Sequence, residues 1–353
     1  MYKDSSGSPI PLGNELGKGA AAKVYLHGGD RSKAVKIFKP EYLSKEHTLP
    51  TRLRQLHRLS QAAHLEVEYA GRPKSVGSLP RDIVLDRTGA VVGFTMDTVR
   101  NGIDLTQVIF ARDPKTAFYK YRNKPTYQRW LGTFLYHPDG LRNRFILSYY
   151  LSVSFEKLYD LKTREGKPLD LDLCNFDIKP NNIMVSLESL AGKNLIIPYI
   201  LDLDNLTLSN STGRMSPVHP QFTPEYKAPE GPVDKYFDYY SIAVIFYQLI
   251  FDIHPFHGVM GGTRFTDGTE MDFFVRNKCF PWGRNRKFLS QETQQDTRHS
   301  NFTKISQELQ GLFLRAFDSD MPKTRPAMKE WSNAFVRFLQ DPPGPFSKLF
   351  RFT

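Results

Sequence analysis

The most restrictive feature of this sequence is an apolar run from Tyr239 to Phe251. As a helix the run is apolar nearly all round, so it has no polar face to turn towards water and must be buried. Its longest apolar segment, Ile242 to Phe251, is too short for a bilayer, which needs roughly 20 residues. We therefore expect a large domain with this helix at its centre, where the entry residue Asp238 caps or anchors neighbouring backbone.

Length and composition indicate the setting of the protein. A chain of 353 residues exceeds one small core and predicts two lobes or domains. The net charge of +11 comes from short, scattered groups of cations, which favours solvated faces and anion sites over nucleic-acid binding. Two cysteines, Cys174 and Cys279, argue against a disulfide framework, and the N-terminus lacks the apolar core of a signal peptide. We expect a cytoplasmic protein with no membrane segment in this chain.

The N-terminal part is predicted to be rich in strands. Gly17 and Gly19 precede a short strand, and such glycines let backbone amides approach a phosphate, although an empty glycine hairpin has the same pattern. In the next strand, Lys33 to Phe38, alternation places Lys36 on one apolar face together with Ala34 and Phe38. A lysine there is costly unless its ammonium meets an anion.

A helix should begin near Thr48, with Thr48 as its cap and Pro50 in its first turn. Its leucines would face the core and its arginines the surface; these are Leu53, Leu56 and Leu59, and Arg52, Arg54 and Arg58. Two further strands, 82–85 and 91–96, and a polar linker, 97–104, complete this part. Helical spacing then predicts helices over 145–161, 305–317 and 327–339. Residues 258–300 fit either a regulatory or partner-binding insert or a long connection, and we favour the connection.

Two acidic motifs carry the chemistry. Asp177, Lys179 and Asn182 lie in a turn between two apolar runs, and Asp202 and Asp204 end the next run. The first motif also suits a surface turn. Together, however, the two motifs offer a carboxylate base, a cation for phosphate and oxygen ligands for a metal ion.

In their order along the chain these motifs resemble the signature set of protein kinases. The similarity extends over about residues 12–340 and includes features beyond the two acidic motifs: the glycine loop, the lysine strand, a hinge at Met96 to Val99, the segment Thr223 to Glu230, Asp238, His254 to Phe256, and Arg325, which would pair with Glu230. The residues of several motifs resemble those of a bacterial branch of eukaryotic-like Ser/Thr kinases. Some members of that branch have helix-hairpin-helix or membrane extensions at the C-terminus.

This resemblance implies an α+β, bilobal protein-kinase fold. Residues 1–97 would form a small strand-rich N-lobe with a short polar arm, residues 98–340 a larger, mainly helical C-lobe, and residues 341–353 a tail. It also implies ATP and Mg²⁺, which Mn²⁺ can replace, as cofactors. The partners would be unknown protein substrates and a cognate phosphatase, with no nucleic acid.

Site roles carry over residue by residue from the resemblance. Asp177 would accept or orient the proton of the substrate hydroxyl, Lys179 would steady the transferring phosphoryl group, and Thr223 would brace both. Lys36 would grip the α- and β-phosphates. Asn182 and Asp202 would hold the metal ion. The remaining nucleotide-binding positions are Gly17, Lys18, Gly19, Ala22, Val24, Ala34, Met96, Asp97 and Val99, with the backbone of Asp97 and Val99 reading adenine.

Four positions depart from the family pattern. Asn175 and Phe176 replace the histidine and arginine of the catalytic loop, which predicts weak dependence on phosphorylation of the loop that contains Ser209, Ser211, Thr212 and Ser216. Asp204 replaces a glycine. The helix after Thr48 has Gln55 where a glutamate should pair with Lys36, and Glu46 is the nearest alternative.

The resemblance therefore predicts an ATP- and Mg²⁺-dependent kinase that acts on Ser or Thr of proteins. The alternatives are a pseudokinase or nucleotide-binding scaffold, and a small-molecule kinase. Retention of Lys36, Asp177, Lys179, Asn182 and Asp202 favours activity over the scaffold. The segment Thr223 to Glu230 argues against a small-molecule substrate.

Overall fold

The computed structural model describes residues 2–99, 101–111, 123, 125–135, 139–175, 177–190, 193–211, 213–218, 222–231, 234–258 and 270–350. The chain forms two compact units. Unit 1 consists of Met1–Gly102, Lys157–Asn175 and Tyr199–Gln221, and unit 2 consists of Ile103–Glu156, Phe176–Pro198 and Phe222–Thr353. Phe176 and Thr212, both named above, lie outside the described residues.

Fifteen strands are found among the described residues. They are β1 (Tyr2–Lys3), β2 (Pro9–Ile10), β3 (Leu12–Lys18), β4 (Ala22–His27), β5 (Lys33–Phe38), β6 (Glu66–Tyr69), β7 (Arg72–Ser75), β8 (Asp82–Leu85), β9 (Val91–Asp97), β10 (Ile103–Asp104), β11 (Asp172–Cys174), β12 (Ile183–Leu190), β13 (Lys193–Ile200), β14 (Thr207–Asn210) and β15 (Gly213–Met215).

The described part of the chain also contains twelve α-helices. They are α1 (Pro40–Leu43), α2 (Leu49–Ala62), α3 (Leu105–Ile109), α4 (Pro125–Phe134), α5 (Asp139–Tyr159), α6 (Lys235–Phe251), α7 (Glu270–Arg276), α8 (Gln291–Gln295), α9 (Thr297–Ser300), α10 (Gln307–Asp318), α11 (Met328–Gln340) and α12 (Phe346–Leu349). The α+β class is therefore confirmed, as are the four strands and the long helices predicted from the sequence. None of the helices among the described residues is long and apolar enough to cross a membrane.

Unit 1 is built on an antiparallel sheet of seven strands in the order β2-β1-β8-β9-β5-β4-β3. The predicted alternation along β5 is confirmed, because Ala34 and Phe38 pack with Phe94 on one face while Val35 packs with Val84 on the other. Strand β5 therefore presents Lys36 on the face that carries Ala34 and Phe38.

Helix α2 begins one residue after Thr48, and its leucines Leu53, Leu56 and Leu59 are buried as predicted. The surface location predicted for Arg52 is wrong, since this residue is fully buried. A buried guanidinium is tolerated when its N–H groups find acceptors, and the spacing of leucines alone could not show those acceptors. Thr48 stands at the cap position without capping, because its hydroxyl accepts from Arg52 Nη1 at 3.1 Å.

Unit 2 is centred on α6, whose residues from Phe237 to Phe251 are all buried, as the apolar run predicts. The helix begins earlier than expected. Asp234 is its N-cap and accepts from the Tyr236 amide at 2.9 Å, so Asp238 lies buried in the first turn and is not the entry residue. Around the helix packs an aromatic core, in which Tyr247 contacts Phe251, Phe280 and Phe313, and Phe246 contacts Trp331 and Phe335.

One buried cation joins three elements of unit 2. Arg144 on α5 donates to the carbonyls of Val108 on α3, Phe134 on α4 and Leu249 on α6, at 2.9–3.1 Å. Within residues 258–300, the described part contains α7, α8 and α9, and residues 259–269 lie outside it. In its described part the segment alternates between short helices and irregular turns, and its role stays a prediction.

Candidate active site

The acidic motif of unit 2 forms a closed set of hydrogen bonds. Asp177 and Lys179 lie on the loop that leads to β12, and Lys179 Nζ donates to Asp177 Oδ2 at 2.7 Å. Thr223 Oγ1 donates to Asp177 Oδ1 at 2.8 Å and accepts from Lys179 Nζ at 3.0 Å. Three residue types predicted to act together are therefore in mutual contact, and the carboxylate plane of Asp177 is fixed by two partners.

Asn182 completes this set from the end of the same loop. It lies in a 3-10 turn, Pro180–Asn182, directly before β12, which pairs with β10. Its Nδ2 donates to the Asp177 carbonyl at 3.1 Å, and its Oδ1 is the acceptor atom of the same amide. Asp177 and Asn182 are each only 8% exposed.

Thr223 is held in place by the buried helix behind it. The residues that follow form a 3-10 turn, Pro224–Tyr226, in which the Tyr226 hydroxyl donates to Gln248 Oε1 of α6 at 2.9 Å and the Tyr226 carbonyl accepts from Ser241 at 2.6 Å. Further along, Glu230 pairs with buried Arg325 as the resemblance implies. A cleft of about 1030 Å³ opens beside Thr223 and is lined in part by Asn181, Glu225, Gln248 and His257.

In unit 1, Lys36 is the centre of the second motif. Its Nζ lies 2.9 Å from Asp202 Oδ1 and 2.7 Å from Asp204 Oδ1, and the rings of Phe38 and Phe94 lie 5.4 and 5.9 Å away. Burial alone would lower the pKa of Lys36, but the negative charges of Asp204 and Asp202 outweigh it and raise this pKa. The lysine is therefore held as a cation.

Asp202 and Asp204 flank a tight turn. Asp202 adopts left-handed backbone angles, φ 54° and ψ 32°, a conformation that aspartate tolerates better than most residues. Its side chain is 43% exposed, whereas that of Asp204 is 2% exposed. The turn thus buries one carboxylate beside Lys36 and leaves the other partly exposed to solvent.

The remaining predicted nucleotide residues line the Lys36 face of the sheet or lie near its rim. Ala22, Ala34 and Met96 belong to one buried cluster, against which Val24 packs. Gly17 and Lys18 are exposed at the end of β3, and Gly19 follows them in the hairpin. Asp97 ends β9 with its side chain paired to Arg81 at 2.7 Å, and Val99 follows it half-buried.

The contacts at this turn involve one residue that sequence reasoning placed on the surface, Arg52, and two that it named without these partners, Asp204 and Glu46. Arg52 donates from Nε and Nη2 to the Asp204 carbonyl at 3.2 and 3.1 Å, and its Nη1 lies 3.4 Å from Glu46 Oε2. Asp204 itself supplies the buried carboxylate. Glu46 is buried with its Oε2 next to Arg52 Nη1, while Gln55 is exposed on α2. The available signal was Asp204, a charged residue where the family pattern has a glycine.

Among the described residues there is no group of three or more His, Cys, Asp or Glu side chains arranged to hold a metal ion.

No protein-family model and no curated protein matches this chain. Among solved structures, it is similar to the kinase domain of Mycobacterium tuberculosis PknI, with 16% sequence identity over 94% of this chain and 98% of that chain and a TM-score of 0.47. A doubly substituted form of the same domain gives 15% identity, 95% and 96% coverage and a TM-score of 0.48.

Proposed function

We propose that this protein is a kinase that uses ATP and Mg²⁺ to phosphorylate serine or threonine hydroxyls of proteins. The observation that carries the proposal is the set formed by Asp177, Lys179 and Thr223, in which one carboxylate and one ammonium are aligned by one hydroxyl. Phosphoryl transfer requires little covalent chemistry from a protein and depends on positioning and on charge neutralisation. This set offers both.

Each of these groups has a role in the proposed reaction. Asp177 would accept a hydrogen bond from the substrate hydroxyl, align its oxygen and take up the proton. Lys179 would stabilise the negative charge on the transferring phosphoryl group. In unit 1, the buried ammonium of Lys36 would hold the α- and β-phosphates. Thr223 keeps Asp177 and Lys179 in register throughout.

The residues present fit a nucleotide with its metal ion. Asp202 offers an exposed carboxylate, and Asn182 has its amide nitrogen engaged, which directs its oxygen to a cation. When bound, Mg²⁺ would neutralise charge on the β- and γ-phosphates. A Cβ on Gly17 would meet nothing within 4 Å, so packing within the protein does not require this glycine. Close approach of a phosphate to this backbone would require a glycine here.

A protein substrate is favoured over a small metabolite by the surroundings of Thr223. The segment from Thr223 to Glu230 is tied to α6 and to Arg325, and the cleft of about 1030 Å³ lies beside it. Its lining is mixed in charge and partly apolar, as suits an extended peptide.

The test compares wild type with Asp177→Ala in phosphotransfer from radiolabelled ATP. Label is followed on the protein itself, on a general protein substrate and on a panel of sugars and aminoglycosides, while ATP binding is measured by calorimetry. The proposal predicts labelled Ser or Thr in wild type and loss by at least about 100-fold in the variant. ATP binding without transfer in wild type would favour a nucleotide-binding scaffold, and transfer only to small molecules would favour a metabolite kinase.

A further inference from the structure

We infer that Asp204, fixed by Arg52, is the residue that positions Lys36, in the role that the family resemblance assigns to a glutamate on α2. The inference rests on the proposed function, because it concerns the lysine that would hold the phosphates. It assigns a positioning task to two residues of unit 1 that are themselves not expected to touch the nucleotide.

The two carboxylates at Lys36 differ in their surroundings. Asp204 Oδ1 lies 2.7 Å from Lys36 Nζ and its side chain is 2% exposed, whereas Asp202 Oδ1 lies 2.9 Å away on a side chain that is 43% exposed. An interaction shielded from water is stronger and better ordered than an exposed one. Asp204 is therefore the shielded partner of Lys36, and Asp202 is the partner that solvent reaches.

Arg52 explains why the partner comes from the turn rather than from the helix. It occupies the inward-facing position of α2 and donates two N–H groups to the carbonyl of Asp204. This fork fixes the backbone at the residue whose side chain binds Lys36. Helix α2 therefore contacts Lys36 only indirectly: Arg52 binds the Asp204 carbonyl, and the Asp204 carboxylate binds Lys36. A glutamate on the helix would instead bind the lysine directly.

The buried positive and negative side chains around the turn also balance in charge. Lys36 and Arg52 are the buried cations, and Asp204 and Glu46 are the buried carboxylates that contact them. Asp202 is a third carboxylate of this group, and its side chain is 43% exposed. A glutamate in place of Arg52 would add a further carboxylate to this group and remove the fork, so this turn and the usual helix glutamate are alternative solutions.

The functional test is the split between kcat and KM in Asp204→Asn, which keeps the shape and removes the charge. Lys36 would still reach the phosphates but would be less well placed, so kcat should fall by about 10- to 100-fold while KM for ATP changes less than about threefold. Asp204→Glu should recover part of the rate. Asp202→Asn, the matched control, should instead weaken the Mg²⁺ dependence of ATP binding seen by calorimetry. An unchanged kcat in Asp204→Asn would overturn the inference.

A second pair of variants tests the two hydrogen bonds from Arg52 to the Asp204 carbonyl. Arg52→Met should lower kcat in the same manner, whereas Arg54→Met, on the exposed side of α2, should leave it within about twofold of wild type. Because Arg52→Met also removes a partner of buried Glu46, its folding is checked by circular dichroism. If Arg52→Met does not fold, the kcat of Asp204→Asn alone decides whether the inference holds.

A urea-unfolding cycle separates the inference from the proposed function, since it needs no activity. Lys36→Met and Asp204→Asn are measured singly and together. If the residues form one unit, the double variant unfolds at a higher urea concentration than the sum of the two single losses predicts. Additive losses would overturn the pairing even in an active enzyme. A wild type that transfers no phosphate while the cycle is non-additive would refute the proposed function and retain the pairing.

Discussion

Thr223 Oγ1 lies 2.8 Å from Asp177 Oδ1 and bonds Lys179 Nζ at the same time, so one hydroxyl fixes both charged groups of the proposed transfer site. Asp177 Oδ2 accepts from Lys179 as well. The carboxylate is thus oriented before a substrate arrives, which reduces the ordering that must occur during the reaction. Anchoring of the following turn to α6 transmits the rigidity of the buried core to this hydroxyl.

The first prediction concerns that hydroxyl. Thr223→Val keeps the size and removes the hydrogen bonds, so the carboxylate and the ammonium lose their common partner, and we expect the phosphotransfer rate to fall by about 10- to 100-fold. Thr223→Ser keeps the hydroxyl and should stay within about fivefold of wild type. Initial rates with a protein substrate at saturating ATP give the comparison. Equal losses in the two variants would show that packing of the methyl group, not the hydroxyl, is what matters.

The second prediction compares two arginine–glutamate pairs of unit 2. Arg325 is 5% exposed and bonds both Glu230 and the Tyr236 carbonyl, so Arg325→Met should lower the free energy of unfolding by about 3 kcal/mol. Arg315 pairs with Glu330 at 2.7 Å, but both side chains are 43% exposed, and Arg315→Met should cost less than about 1 kcal/mol. Urea unfolding followed by fluorescence measures both. A cost for Arg325→Met as small as that for Arg315→Met would contradict the structural role.

Much of the fold follows from patterns that are local. The apolar run of α6 dictates burial because every face of the helix is apolar, and the alternation along β5 assigns Lys36 to its face. Boundaries are less well determined. The charged residues Asp234, Lys235 and Asp238 interrupt the apolar pattern before Tyr239, so the N-cap at Asp234 was missed and Asp238 was taken for the entry residue.

Long-range pairing of charges could not be read from spacing. Arg52 has the sequence context of a surface residue, and its burial depends on the Asp204 carbonyl, which is 152 positions away. In the same way, the pairing of Lys36 with Asp204 spans 168 positions. The sequence showed that the helix glutamate was missing. Only the three-dimensional structure shows that Asp204 contacts Lys36 and that Arg52 donates to the Asp204 carbonyl.

The third prediction uses two glycines of the sheet in unit 1. A Cβ on Gly93 would lie 2.0 Å from the Lys36 carbonyl, so Gly93→Ala must push β9 away from β5 and should destabilise the protein by about 3 kcal/mol. A Cβ on Gly17 would meet nothing. Gly17→Ala should therefore unfold like wild type and raise KM for ATP by about threefold or more, if phosphates approach this backbone. Thermal unfolding and ATP titration of both variants check this, and an unaltered KM in Gly17→Ala would remove the glycine loop from the site.

The last prediction is a dependence of stability on pH that arises from two buried histidines in unit 2. Burial lowers the pKa of both His254 and His299 from 6.5 to about 4. The contacts of His299 explain its neutral form: with Nε2 donating to the His257 carbonyl at 3.0 Å, its Nδ1 is left to accept from the Tyr247 hydroxyl at 2.8 Å. A second proton on this ring would require the Tyr247 hydroxyl to turn and accept instead.

Because these pKa values are lower in the folded state, the unfolded chain binds more protons between pH 6.5 and about 4. The stabilisation is therefore complete above about pH 6.5 and is lost as the pH falls. Each histidine should cost on the order of 1–2 kcal/mol of unfolding free energy between about pH 7 and about pH 5. His254→Gln and His299→Gln should each reduce this loss, while exposed His47→Gln should leave it as in wild type. Urea unfolding at several pH values gives the slopes, and a stability that rises on acidification would show that the imidazoles are charged in the folded protein.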